Sequence, residues 1–121
     1  MHDFKAVASR YIDAFNAVDA VERKRLVAEV LGADVAYVDP MAAVDGHEGM
    51  DAFIAGCHRQ FPGWTFTLIG EVDGHHDQAR FSWGFGPAGE EPPLLGFDVI
   101  VLDGEGRIKT VFGFLDRVPA A

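Results

Sequence analysis

The sequence holds a single cysteine, Cys57, in 121 residues, so no disulfide can close within the chain. That scarcity fits a reducing compartment, and a cytoplasmic protein is expected. Long hydrophobic runs are missing too. A bilayer-spanning helix needs roughly 20 consecutive apolar residues, and none occurs. The opening Met1-His2-Asp3-Phe4-Lys5 does not read as a signal peptide. Positive charge is scarce: 10 Lys and Arg stand against 19 Asp and Glu, giving a formal net charge of −9. Such a chain repels phosphate backbones, so nucleic acid is not an expected partner. The basic cluster Arg23-Lys24-Arg25 lies beside Glu22 and Glu29 and reads as a solvated helix face. Repeats, linkers and low-complexity segments are also lacking, which leaves one domain over residues 1–121.

What the chain does have is apolar mass. Hydrophobic residues make up 49%, with ten phenylalanines and two tryptophans. That exceeds what one small core uses, and an aromatic-lined cavity or a subunit interface would take the surplus. Phe4, Val7, Ala8, Tyr11, Phe15 and Val18 recur at helical spacing, predicting a helix from about Asp3 to Val18. Asp19 opens a second helix, with Glu22 at the third position of a capping-box arrangement and Gly32 as its stop. A short strand follows over 34–38, ended by Asp39-Pro40. A third helix runs from about His47 to Gln60, until Pro62-Gly63 breaks it.

From Trp64 the period changes to two. Strands are expected over 64–72, around Phe81, Trp83 and Phe85, over 94–102 and over 107–116, with a short tail from Val118. The loop Gly86 to Pro93 lies near one end of the sheet. Helices first and strands after argue for an α+β fold, with three N-terminal helices on one face of a curved, mostly antiparallel sheet. On the last strand Phe112 and Phe114 share one face and Val111, Gly113 and Leu115 the other. Both faces are largely apolar while helices cover only one, so a homodimer through the outer face, with Phe112 and Phe114 in it, is expected.

One residue breaks the pattern. Asp98 sits in Leu94-Leu95-Gly96-Phe97-Asp98-Val99-Ile100-Val101-Leu102, a run otherwise apolar or glycine. A bare charge there would cost several kcal/mol, roughly, so the carboxyl must be hydrogen-bonded, paired or neutral. It is either a structural hydrogen-bonder or a reactive group.

Ser9-Arg10-Tyr11-Ile12, Tyr37-Val38-Asp39-Pro40, Gly46-His47-Glu48-Gly49, Phe97-Asp98-Val99 and Asp103-Gly104-Glu105-Gly106-Arg107-Ile108 occur in an order that resembles the NTF2-like superfamily. Within it they resemble most the ketosteroid isomerase and SnoaL-like polyketide cyclase branches. The resemblance implies a conical α+β barrel with a deep apolar pocket. It implies Asp39 as a general base, and Tyr11 and Asp98 as the donors of an oxyanion hole. The implied activity is isomerase- or cyclase-type proton transfer next to a carbonyl of a hydrophobic small molecule, steroid- or polyketide-like, with no cofactor and no metal. A carboxylate in a dry pocket takes the proton, and the enolate oxygen needs donors already in place. In ketosteroid isomerase one such donor is a carboxylic acid that its apolar site keeps neutral.

Phe15, Phe53, Phe81, Trp83 and Leu115 are the candidate substrate-binding residues. Some isomerases carry further tyrosines, and the nearest positions here are Leu31 and Ile54, so Tyr11 is expected to stand without a tyrosine network. Two other readings of the pocket are non-catalytic binding of a hydrophobic small molecule and epoxide hydrolase-like activation of water. The second uses an Asp-Arg-Asp arrangement and would need Arg80 to face inward. His75-His76 reads as a solvated turn, His47 as an exposed first-turn residue, and Cys57 as an inert core thiol.

Overall fold

The structure, a computed structural model, describes residues 2–118, so the tail read at 119–121 lies outside the described residues. Helix α1 spans Phe4–Asn16. The Asp3 carboxylate caps it, accepting from the Ala6 amide, and Ala17 ends it by turning extended. Helix α2 spans Ala20–Val30, capped by Asp19, which accepts from the Glu22 amide at 2.9 Å. Only half of the capping box forms, because Glu22 turns to Arg25 instead.

Two expectations need correction in this region. Gly32 is not a helix stop: α2 ends at Leu31, which goes extended and starts strand β1, Leu31–Asp39. Pairing of Leu31 with Ile108 accounts for this, since the chain enters the sheet there. Nor is Arg23 part of a solvated face. Its side chain is buried, 2.7 Å from Asp51, and it donates to the carbonyls of Ala17 and Val18. A carboxylate and two carbonyls replace its water, and they tie the α1–α2 turn to the third helix.

A strand absent from the sequence reading follows. β2, Ala42–Asp45, folds back on β1 with Asp39 opposite Ala42. Helix α3 then runs Gly46–Gln60 and buries Met50 and Ile54. Strands β3 Trp64–His75, β4 Gln78–Pro87, β5 Leu94–Leu102 and β6 Ile108–Arg117 complete the sheet. Its order is β2-β1-β6-β5-β4-β3. The β1–β6 pair is parallel and the other pairs are antiparallel. A register shift between Ile69 and Asp73 marks a bulge in β3, the device that bends a sheet. The helices cover the concave face, and Val111, Ile100, Leu102 and Ile108 of the sheet are buried against them. This is the α+β architecture expected: three helices on a curved, mostly antiparallel sheet.

Burial along β4 shows which side chains face inward. Ala79, Phe81, Trp83 and Phe85 are buried, while Arg80 points out and pairs with Asp73, opposite it on β3. The prolines after the β4 loop lie against Gly84 and Gly86, and Arg117 donates to the Pro92 carbonyl. No helix among the described residues is long and apolar enough to cross a membrane.

Candidate functional site

Between the helices and the concave sheet lies a cavity of about 300 Å³. Ligand pockets run from roughly 300 to 1,000 Å³, so this one suits a small molecule of a few rings. Its walls are aromatic: Phe15, Phe53, Phe61, Phe66, Trp83 and Phe85, with Leu94 and Leu115. Phe66 stacks on Phe85 at 4.1 Å between centroids, and Phe15 meets Phe53 and Phe66 edge-on. Exposed Met41, Gln60 and Val118 form the rim. Below the rim, the hydroxyls of Tyr11 and Tyr37 and the carboxyl groups of Asp39 and Asp98 stand against this apolar lining.

Asp39 comes from the end of β1, where the chain turns into β2. Its Oδ1 accepts from the amides of Met41 (2.8 Å) and Ala42 (2.9 Å), which builds the turn. Its Oδ2 accepts from the Tyr37 hydroxyl at 2.5 Å. Three donors converge on this group. Tyr37 was not among the residues expected in the site. The signal was present, since residues two apart on a strand share a face. Tyr37 faces the cavity with Asp39, and burial raises its pKa, so the hydroxyl stays a donor.

Asp98 comes from the middle of β5 and is 3% exposed. Its Oδ1 accepts from the Trp83 indole Nε1–H at 3.1 Å. Burial pushes its carboxyl up to about 6; the indole N–H and the Tyr11 hydroxyl pull it down, and the charge of Asp39 adds to the rise. The Tyr11 hydroxyl lies near enough to act on that charge, yet it falls short of hydrogen-bond geometry to any described group. Burial, then the charge of Asp98, holds Tyr11 well above the ordinary tyrosine value. Tyr11 therefore stands outside a tyrosine network, as expected, because Tyr37 is committed to Asp39.

The raised carboxyl has a measurable consequence. An unfolded Asp titrates near 4, so between roughly pH 4 and 6 the folded chain holds a proton that the unfolded chain has lost. The associated stability is fully present below pH 4 and is lost as pH rises through about 6. It amounts to about 3 kcal/mol. Asp98→Asn is expected to remove that slope while keeping the Trp83 bond. Urea unfolding across this range checks it, and an unchanged slope in the variant would refute the assignment.

Asp39 and Asp98 flank one gap in the strand between them. Asp98 pairs with Gly113 of β6, and Val38, next to Asp39, pairs with Phe112, next to Gly113. A Cβ at Gly113 would sit 3.0 Å from both Asp39 Cβ and Asp98 Oδ1. Any side chain there would push the two apart.

Of the residues expected in the site, Tyr11, Phe15, Asp39, Phe53, Trp83, Asp98 and Leu115 all line the cavity. Phe81 does not. It faces inward opposite Asp98 but lies buried against Tyr11, edge-on at 5.8 Å, so the tyrosine ring screens it. Arg80, on the outer face, is not between the carboxylates. His47 is half-buried and its Nε2 lies 2.7 Å from the Leu31 carbonyl, joining α3 to β1. His75 and His76 are exposed at the β3–β4 turn, and the described residues contain no cluster of three or more potential metal ligands. Cys57 lines the cavity, and burial raises its thiol pKa, so it stays protonated.

The family model for the SnoaL-like domain matches residues 8–111. The chain belongs to this SnoaL-like family. A SnoaL-like protein from Agrobacterium tumefaciens, provisionally assigned as an isomerase, is 37% identical, with a TM-score of 0.89 over 93% of this chain and 97% of that one. A provisional polyketide cyclase from Sinorhizobium meliloti is 15% identical, with a TM-score of 0.71 over 89% and 93%. An NTF2-like protein of unknown function from Cytophaga hutchinsonii is 13% identical, with a TM-score of 0.67 over 96% and 92%. The last two show likeness of fold alone. No curated protein matches.

Proposed function

We propose that the protein is a small enzyme that moves a proton next to a carbonyl of a hydrophobic molecule, in an isomerisation or a ring closure. In this reading Asp39 is the base, and Tyr11 and Asp98 are the donors to the enolate oxygen. One observation carries it: the buried Tyr11 hydroxyl, with no hydrogen-bond partner among the described residues, lies beside a buried acid that holds its proton up to about pH 6. An unpaired buried hydroxyl costs roughly 1–3 kcal/mol, and a ligand oxygen between the two groups would recover it. The donor form of Asp98 dominates below about pH 6, so turnover should decline above that. The test is deuterium exchange into a panel of bicyclic aromatic and β,γ-unsaturated ketones in D2O, comparing wild type with Asp39→Asn. Equal exchange by the two proteins would refute the mechanism.

A non-catalytic pocket is the second reading, supported by the aromatic lining alone. Epoxide hydrolase-like activation of water lacks support, because Arg80 faces away from both carboxylates.

The outer sheet face supports a homodimer. Val38, Phe112 and Phe114 are 44%, 42% and 49% exposed there, and Phe97 stacks on Phe114 at 4.9 Å. Such a patch on a small domain calls for cover. Light scattering at micromolar concentration should give twice the chain mass of 13.1 kDa. Phe112→Asp should shift it toward the monomer, and a monomeric wild type would remove the proposal.

A further inference from the structure

Trp83 does more than line the cavity. Its indole reaches Asp98 diagonally across two strands, since Phe81 is opposite Asp98 and Trp83 is opposite Gly96. Room for that indole comes from Gly96. A Cβ there would lie 2.5 Å from Trp83 Cζ2 and 2.5 Å from the Phe114 carbonyl oxygen. The ring therefore packs against Gly96, with Nε1 aimed at Asp98 Oδ1. An indole N–H can only donate, and in a protonated carboxyl the carbonyl oxygen is the better acceptor.

We infer that Trp83 is a positioning residue that fixes the proton of Asp98 on Oδ2, so that the acid presents its O–H to a ligand carbonyl beside the Tyr11 hydroxyl. The inference rests on the donor reading of Tyr11 and Asp98 and names what orients one of them. Without the indole, either oxygen could carry the proton, and the acid could turn its hydroxyl away from the cavity. The site would then lose an aimed donor, although the acid itself would hold its proton more firmly, because the N–H favours the charged form. Orientation and charge thus predict opposite outcomes for the same substitution.

The probes are 2-acetylnaphthalene and its alkene isostere 2-isopropenylnaphthalene, which differ only in the oxygen. At pH 5 the wild type is expected to favour the ketone by about tenfold. Trp83→Phe keeps a ring and removes the N–H. It should lose most of that preference, read as the ratio of the two affinities, so that a change in packing shared by both probes cancels. A preference kept or increased in Trp83→Phe would overturn the inference, as would an equal loss for both probes, which marks plain packing. The wild type supplies a second measurement. In a 15N NMR titration the Trp83 indole signal should move with a midpoint of about 6, whereas that of Trp64 should not. A Trp83 signal indifferent to that titration would also overturn it. A wild type without ketone preference would sink the donor reading itself. A ketone-selective protein that exchanges no deuterium would sink only the catalytic one.

Discussion

Asp39→Asn is expected to abolish deuterium exchange into a substrate ketone, a loss of roughly 10²- to 10⁴-fold, while leaving the fold intact. The amide is nearly isosteric with the carboxylate. Its oxygen can still accept from the Met41 and Ala42 amides, so the β1–β2 turn survives. Its NH2 would face Tyr37, whose hydroxyl can rotate from donor to acceptor. What the amide cannot do is take a proton. Asp39→Ala would be a poorer test, because it removes the turn along with the base. Thermal unfolding within a few degrees of wild type, together with lost exchange, would isolate the chemical role. Exchange at the wild-type rate would assign Asp39 to the turn alone.

The sequence exposes some parts of this site and hides others for identifiable reasons. Helical spacing places Tyr11 and Phe15 on one stripe, and both are buried there. The charge of Asp98 in an apolar strand marks it without any partner being known. β2 stays hidden because Ala42-Ala43-Val44-Asp45 carries no strand signature of its own. It forms because the Asp39 carboxylate gathers two amides and folds the chain back. The stop at Gly32 fails for a similar reason: pairing with β6 draws Leu31 into the sheet one residue earlier. Local preference yields to tertiary pairing in both cases. The inward face of β4 is undecidable from alternation alone, which gives two faces and no sign. Register supplies the sign by setting Arg80 opposite Asp73 and Phe81 opposite Asp98. The Trp83–Asp98 bond is a diagonal cross-strand pair, so it too needs the register. Likewise, that Gly113 opens the space between two carboxyls follows only when β1, β6 and β5 are side by side.

Tyr11→Phe should move stability and activity in opposite directions. The hydroxyl is buried with no hydrogen-bond partner among the described residues, so deleting it removes a desolvation cost and leaves the ring's contacts with Phe15 and Phe81 in place. Below about pH 5, where Asp98 is neutral and does not draw on the hydroxyl, stability should rise by about 1–3 kcal/mol. A core tyrosine kept for packing alone would be expected to have a bonded hydroxyl, and its loss would then lower stability. Retaining an unpaired one fits a site in which the native fold leaves a donor waiting for a ligand oxygen. Turnover should fall by roughly 10²- to 10³-fold, the usual effect of removing one such donor. Urea denaturation of the two proteins measures the first effect without any substrate, and ketone exchange measures the second. A less stable Tyr11→Phe protein would mean that the hydroxyl is satisfied in the free chain. A more stable variant with full activity would leave Asp98 as the sole donor, and a single acid with a pKa of about 6 would then carry the whole oxyanion.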